Sequence, residues 1–178
     1  MSSLIKAYQN VLQRRPLITS AVSSFTLFAA GDVIAQQVVE KNGIKGHDWV
    51  RTTRLGLYGG LIFTPVVVPW YRIIDKVKFA SRPASIAAKV ALDQFIFAPF
   101  AVGLFFTATT LMEGKSLDDV KAKLHKSYTS TVKANWMLFI PFQTINMGFV
   151  PLQHRLLAVN VISLFWNTYL SLASAADS

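Results

Sequence analysis

Long apolar stretches recur five times along the chain. They cover residues 17–39, 55–71, 90–112, 134–151 and 156–173. Only the first and third contain a charged residue, Asp32 and Asp93 respectively. A helix needs about 20 mostly apolar residues to cross the hydrocarbon core of a bilayer. The pattern therefore predicts an all-α fold, an integral membrane bundle of four transmembrane helices plus a fifth C-terminal membrane helix. The alternative is that one of the five is short, tilted or interfacial.

The first sixteen residues form a separate amphipathic segment. Leu4, Tyr8, Val11 and Leu12 are spaced as on one helical face, and every charged residue here is basic. This predicts an N-terminal amphipathic helix over 1–16. It is either a mitochondrial presequence or an uncleaved interfacial helix, and the direct junction at Arg15-Pro16 favours the second. The whole chain, 1–178, is predicted to be a single polytopic membrane domain.

The connecting segments carry turn and cap signals. Glu40–Asp48 is polar and contains two glycines, which predicts a loop. Ser116, followed by Asp118 and Asp119, is typical of a helix N-cap with acids in the first turn. Residues 117–126 are therefore predicted to form a short, water-exposed or interfacial helix. Gly56 and Gly60 form a G-x-x-x-G pattern, which allows close helix packing.

Composition narrows the class of protein. Hydrophobic residues make up 52% of the 178 residues and charged residues 15%, whereas a soluble domain has about 25% charge. The net charge is +9, from 18 Lys and Arg against 9 Asp and Glu. High hydrophobicity excludes intrinsic disorder, and the short supply of charge argues against a soluble nucleic-acid binder. The basic loops instead predict contact with anionic membrane lipids.

Residues that would support catalysis or metal binding do not form a pattern. The chain has no cysteine, which excludes disulfides, thiolate metal sites and thiol nucleophiles. Its three histidines do not share a helical face, and no H-E-x-x-H, phosphate loop, dinucleotide fingerprint or nucleophile elbow is present. We therefore expect no enzyme activity, no cofactor and no metal site.

Polar residues inside the apolar segments are the candidate functional residues, because they are costly in lipid and must face protein or water. With two arginines nearby, the set is Asp32, Gln36, Arg51, Arg54, Asp93, Gln94, Asn135, Gln143, Asn146, Asn160, Ser163 and Asn167. Two interpretations stay open: these groups bond helix to helix, or they converge on a hydrated path. We expect Asp32 and Asp93 each to pair with Arg51, Arg54 or another cation.

Several motifs resemble one family across nearly the whole chain. They are Gly31-Asp32-Val33-Ile34-Ala35-Gln36, Arg51-x-x-Arg54, Pro69-Trp70-Tyr71, Asp93-Gln94 with Pro99, Trp136 through Pro141, Gln143 and Asn146 to Val150-Pro151, and Arg155 through Asn160 to Trp166-Asn167-x-Tyr169-Leu170-Ser171. In order and number they resemble the Mpv-seventeen / peroxisomal membrane protein (PMP twenty-two) family. The segment from Val150 to Val161 is similar to its fungal mitochondrial Sym branch.

The resemblance implies a four-span protein of the mitochondrial inner membrane, or of the peroxisomal membrane in other branches. It also implies a channel for small hydrophilic solutes, with roles in mitochondrial DNA maintenance and stress tolerance. We therefore hypothesise a weakly selective channel for metabolites or ions. The alternative is a non-conducting scaffold or assembly protein whose polar stripes only dock helices. A homo-oligomer is compatible with either hypothesis.

Overall fold

The computed structural model is helical throughout the part of the chain that it describes, namely the backbone of residues 3–176 and the side chains of Tyr8 and residues 10–166. Its helices are α1 (Ser3–Arg14), α2 (Pro16–Val39), α3 (Trp49–Asp75), α4 (Arg82–Met112), α5 (Leu117–Phe149) and α6 (Leu152–Ala176). No strand occurs in these residues, so the all-α prediction is confirmed. The predicted N-terminal helix and the loop over residues 40–48 are also present.

Three helices are long and apolar enough to cross a membrane: α2, α3 and α4, with 24, 27 and 31 residues. They contain the first three predicted spans and extend beyond the second and third of them. Helices α5 and α6 have 33 and 25 residues. Among the described residues, neither combines length with sufficient mean hydropathy. The fourth and fifth spans therefore stay predictions.

The prediction of a separate short helix over residues 117–126 is wrong, because these residues form the first part of α5. No glycine or proline interrupts the chain between Leu117 and Ile140, so nothing ends the helix after its charged turns. The predicted N-cap is confirmed. Ser116 Oγ accepts a hydrogen bond from the Asp119 amide, whose carboxylate accepts one from the Ser116 amide. The hydrogen bond from the Ser116 hydroxyl holds the pKa of Asp119 below its usual range.

A wider, π-helical turn ends α2 and interrupts each of α3 and α4. These turns are Ala35–Val39 in α2, Tyr58–Phe63 in α3 and Asp93–Phe97 in α4. Single π-helical turns inside α-helices often occur at functional sites, because they change the direction of nearby side chains. Two of the three contain residues from the candidate set, Gln36 in α2 and Asp93 with Gln94 in α4.

The chain divides into two compact units. Unit 1 contains Met1–Val68 and Leu156–Ser178, and unit 2 contains Pro69–Arg155. In unit 1, α1 packs on α2 through the buried Leu12 and through a 3.4 Å hydrogen bond between Tyr8 Oη and Ser23 Oγ. In unit 2, Val102 and Phe106 of α4 pack against Val132 of α5 to form a buried apolar cluster.

Glycines allow α3 to lie close to α2 in unit 1. Gly56 packs on the ring of Phe25 and Gly60 on the backbone carbonyl of Ala21, so the predicted close-packing role is confirmed. Gly59, between them, packs on Phe28. A Cβ atom built on Gly59 would lie 2.6 Å from Phe28 Cδ2. Because Phe28 is itself buried, its ring has little room to move.

The substitution Gly59→Ala is expected to lower the free energy of unfolding by about 1–3 kcal/mol, because the added methyl group overpacks a filled interface. Gly103→Ala is the matched control. Its new Cβ would lie 3.8 Å from the Tyr128 ring, an ordinary contact. The control should therefore be neutral or stabilising, because alanine favours helix by about 1 kcal/mol over glycine. Unfolding in detergent, followed by circular dichroism, measures both. Equal effects would contradict the tight contact at Gly59.

Candidate functional site

The first candidate site in unit 1 surrounds the carboxylate of Asp32, which is fully buried. Its Oδ2 atom accepts hydrogen bonds from Gln36 Nε2 at 2.7 Å and from Thr52 Oγ1 at 2.6 Å. Its Oδ1 atom lies 2.8 Å from Nε of Arg51, so the predicted pairing of Asp32 with Arg51 is confirmed. We call Asp32, Gln36, Arg51 and Thr52 the Asp32 cluster.

The order of residues explains why this cluster forms. Gln36 lies one helical turn after Asp32 in α2, so both side chains share a face. Asp48 caps the start of α3 by accepting a hydrogen bond from the Arg51 amide at 2.9 Å, and the next residue is Thr52. Gln36 joins the two helices a second time, since its Oε1 atom accepts from the Asp48 amide at 2.7 Å. The cap therefore fixes where α3 meets the carboxylate.

Two chains of contacts connect the Asp32 cluster to more exposed groups. Arg51 Nη1 also contacts both carboxylate oxygens of Glu40, at 2.8 and 3.0 Å. His47 Nε2 lies 3.0 Å from Thr52 Oγ1. Because the Thr52 hydroxyl donates to Asp32, His47 is the donor to Thr52, and its Nδ1 atom accepts from Gln37 Nε2 at 3.0 Å. The cluster is thus a polar network that reaches from the α2–α3 loop to a buried acid.

The second candidate site, in unit 2, surrounds Asp93 at the π-helical turn of α4. Gln94 Nε2 and Gln143 Nε2 donate to its Oδ2 atom at 2.7 and 2.8 Å. Trp70 Nε1 donates to Oδ1 at 3.0 Å. The prediction that a cation pairs with Asp93 is wrong for the residues that the structure describes. Three neutral N–H donors supply the hydrogen bonds that an arginine would otherwise provide.

Gln143 of α5 is the centre of this second network. Besides Asp93, its Nε2 atom donates to Tyr71 Oη at 2.9 Å, and its Oε1 atom accepts from Asn146 Nδ2 at 2.8 Å. Asn146 also donates weakly to the Arg155 carbonyl, at 3.4 Å. We call Trp70, Tyr71, Asp93, Gln94, Gln143 and Asn146 the Asp93 cluster. It joins the end of α3, the middle of α4 and the middle of α5.

Unit 2 also contains an ion cluster, formed by Asp75, Lys89 and Arg155. Asp75, the last residue of α3, accepts from Arg155 Nη1 at 2.9 Å and from Lys89 Nζ at 3.0 Å. The buried Arg155 guanidinium also donates to the carbonyls of Met147 and Val150, at 3.5 and 3.1 Å. These bonds fix the turn between α5 and α6. They satisfy a buried arginine with one carboxylate and two backbone oxygens.

Several buried oxygens in the candidate residues have no hydrogen-bond donor among the described residues. In the Asp93 cluster these are Gln94 Oε1 and Asn146 Oδ1, which belong to residues that are 2% and 1% exposed. Asn135 Oδ1 and Asn160 Oδ1 are in the same state. Asp32 Oδ1 also accepts no hydrogen bond from a described residue, although it forms the ion pair with Arg51 Nε. Buried polar atoms in native proteins nearly always have a partner, so each of these oxygens offers a place to a donor such as water or a solute.

The remaining candidate residues are distributed as follows. Asn160 Nδ2 donates to Ser24 Oγ at 2.6 Å, and Thr64 Oγ1 donates to the same atom at 2.9 Å, so unit 1 contains a small hydroxyl–amide contact. Ser163 Oγ donates to the Val159 carbonyl of its own helix at 2.8 Å. Arg54 is half-buried and forms no ion pair with any described residue. Asn135 is outside both clusters, and the Asn167 side chain lies outside the described residues.

Sequence reasoning missed several members of these networks, and helical spacing contained a signal for some of them. Ser24 lies two turns before Asp32 on the same face of α2, and Thr52 directly follows Arg51. Trp70, Tyr71 and Arg155 lie in the motifs that carry the family resemblance. A signal was present for Trp70 and Tyr71, because buried tyrosine and tryptophan usually need a polar partner. Within the described residues, no three histidine, cysteine, aspartate or glutamate side chains are grouped as in a metal site.

Comparisons with known proteins identify the family. The Mpv17 / PMP22 family profile matches residues 110–171. Protein SYM1 of Mycosarcoma maydis is 55% identical over 153 residues, which cover 85% of this chain and 76% of that protein. Protein SYM1 of Eremothecium gossypii is 44% identical and covers all of both chains. The chain belongs to the Mpv17 / PMP22 family.

This membership agrees with the resemblance drawn from the motifs. Protein SYM1 of Saccharomyces cerevisiae is also similar, with 42% identity over 174 residues that cover 94% of this chain and 88% of that one. No solved structure matches the chain. As a member of the Mpv17 / PMP22 family with three helices apolar enough to cross a bilayer, it is a helical membrane protein.

Proposed function

We propose that this protein is a channel of the mitochondrial inner membrane, weakly selective, which passes small hydrophilic metabolites or ions. In this role it would support mitochondrial homeostasis, stress tolerance and mitochondrial DNA maintenance. The proposal rests on the family, on similarity to the SYM1 proteins and on the buried polar clusters. The alternative location for the protein is the peroxisomal membrane.

The observation that carries the proposal is the excess of oxygen acceptors around Asp93. This carboxylate contacts no described cation, and Gln94 Oε1 and Asn146 Oδ1 have no donor. A helix–helix contact evolved only for packing would leave few acceptors unsatisfied, because each one costs about 1–3 kcal/mol. A hydrated path offers those acceptors water or the donor groups of a solute. Asp93 is then a negative charge beside that path.

In the conformation described, the polar groups are bonded to one another, which is the arrangement expected of a resting channel. Opening would exchange bonds such as Gln143–Asp93 for bonds to water. Because such an exchange keeps the number of hydrogen bonds nearly constant, its net cost is modest, about 1 kcal/mol for each bond. The π-helical turn that begins at Asp93 is a place where α4 can rearrange, since its backbone hydrogen bonds differ from the regular α-helical pattern.

Substitution of Asp93 tests the proposal in planar bilayers containing the purified full chain. Asp93→Asn is expected to lower the cation-to-anion permeability ratio by about twofold or more, because it removes a fixed negative charge from the path. Asp118→Asn is the matched control, since Asp118 is exposed and pairs with Lys121 on the surface of α5. The control should leave the ratio unchanged. Equal ratios for Asp93→Asn and the parent would contradict the role of Asp93.

A non-conducting scaffold is the second candidate, and the short bonds between helices favour it. The Gln143–Asp93 and Asn160–Ser24 contacts, at 2.8 and 2.6 Å, are those expected of polar groups that dock helices. The same bilayers distinguish the two candidates. Discrete conductance steps support the channel, whereas silence across salts and voltages, with folding verified by circular dichroism, supports the scaffold. Carbonate extraction and protease protection of purified mitochondria test the location.

A further inference from the structure

An apolar groove lies between α4 and α5 in unit 2, with a volume of about 660 Å³. On α4 its floor is formed by small residues one turn apart, Pro83, Ala87 and Ala91, and Phe95 lies at its far end. Both alanines are exposed, so the floor can be reached from outside the helices. Phe149 of α5, which is 79% exposed, forms part of the other wall.

One charged side chain, Arg82, lines this groove, at the first residue of α4. Its Nη2 atom donates to the Gly148 carbonyl at 2.8 Å, and its guanidinium lies 5.9 Å from the centre of the Phe149 ring. These contacts hold the cation at the mouth of the groove. The Gly148 carbonyl uses one of the two N–H groups of Nη2. The other N–H of Nη2 and the N–H groups of Nη1 and Nε stay available to an anion, and a guanidinium binds phosphate through two neighbouring N–H groups.

The dimensions of the groove match one leaflet of a membrane. Helix α4 has 31 residues, a length of about 46 Å at 1.5 Å per residue, which is close to the full bilayer thickness of about 40–45 Å. If α4 is centred in the bilayer, its first residue, Arg82, lies at the level of the lipid headgroups. From Arg82 to Phe95 the groove runs for about 20 Å along the helix, and one leaflet with its headgroups is about 20–22 Å thick.

We propose that this groove binds one acyl chain of an anionic phospholipid, whose phosphate is held by Arg82. The apolar floor takes the hydrocarbon and the guanidinium takes the headgroup. A lipid with a net negative charge is favoured over a zwitterionic one, because the choline cation would be repelled by Arg82. This site is separate from the residues of the proposed path, except that Gln94 also lines the groove. Lipid binding at the groove does not depend on whether the protein is a channel.

The test compares dioleoylphosphatidylglycerol with dioleoylphosphatidylcholine, which carry identical acyl chains, added to the full chain in an uncharged detergent. Native mass spectrometry measures the affinity of each. The parent should bind the glycerol lipid more tightly than the choline lipid. Arg82→Gln should weaken binding of the glycerol lipid by about tenfold and that of the choline lipid by less, so that the preference for the glycerol lipid is lost. Equal affinities of the parent for both lipids would overturn the proposal.

Two further variants separate the groove from general surface charge. Arg72→Gln removes another exposed arginine, outside the groove, and should keep the preference for the glycerol lipid. A loss as large as that of Arg82→Gln would overturn the proposal. Ala91→Trp fills the exposed floor and should weaken both lipids, which keeps the test decisive if Arg82→Gln does not fold. Inorganic phosphate added alone should not compete. Full competition would mean that the site takes free phosphate, not a lipid.

Discussion

Arg51→Met is expected to lower the free energy of unfolding by about 2 kcal/mol, because it leaves the Asp32 carboxylate buried without its cation. The Asp32 side chain is fully buried, whereas 37% of the Arg51 side chain is exposed. Breaking a buried ion pair usually costs about 3–5 kcal/mol, and the partial exposure of Arg51 reduces that figure. Asp32 keeps its bonds from Gln36 and Thr52, which limits the loss further.

Two comparisons make this expectation specific. Arg54→Met, one turn later on the same helix, removes an arginine that pairs with no described acid and should change stability by no more than about 0.5 kcal/mol. The double variant Asp32→Asn with Arg51→Met should recover part of the stability, since no buried charge is then left alone. Unfolding of all variants in one detergent measures these differences. A double variant less stable than Arg51→Met would contradict the pairing.

Much of the fold was predictable because the bilayer restricts the possible structures. Inside lipid every backbone group must bond within its own segment, so a charge-poor stretch of sufficient length forms a helix. This argument located α2, α3 and α4. It failed at residues 117–126, where water-exposed turns continue into an apolar segment without a helix breaker. Charge marks a boundary of the membrane, but not the end of a helix.

The candidate residues were easier to find than their partners. A buried Asp or Asn in an apolar stretch is visible in the sequence because its cost must be offset. Which group offsets that cost depends on distances between helices that the sequence does not contain. Asp32 pairs with Arg51 as expected, but Asp93 takes N–H donors from Trp70, Gln94 and Gln143. Nothing local to Asp93 in the sequence distinguishes these two solutions.

The two acids are embedded in similar local structure but differ in charge. Asp32 lies one turn before Gln36, which is part of the π-helical turn of α2. Asp93 is the first residue of the π-helical turn of α4. Around Asp32, the carboxylates of Asp32 and Glu40 both contact Arg51. Around Asp93, all three donors are neutral, so its negative charge is offset by hydrogen bonds alone. In the proposed channel, Asp93 is therefore the acid whose charge a cation would encounter, and its surroundings determine the strongest test.

Gln143→Leu is expected to cost about 3 kcal/mol, because Gln143 makes three buried hydrogen bonds and leucine, of similar size, makes none. The change removes one donor from Asp93, one from Tyr71 and the acceptor of Asn146. Each of these groups is then buried with fewer partners. Gln153→Leu makes the same chemical change at an exposed residue of unit 2 and should shift stability by no more than about 0.5 kcal/mol.

The pair of variants also distinguishes a packing role from a hydrated one. If water reaches the Asp93 cluster, solvent replaces the lost donors and Gln143→Leu costs closer to 1 kcal/mol, with a changed conductance. If the cluster is dry, the full cost of about 3 kcal/mol appears and no current accompanies it. Unfolding in detergent and bilayer recording on the same preparations give both numbers. A loss of stability equal to that of Gln153→Leu, with conductance unchanged, would show that Gln143 has neither the packing role nor the hydrated role. In either role, removal of a buried amide that joins α5 to α3 and α4 must change stability or conductance.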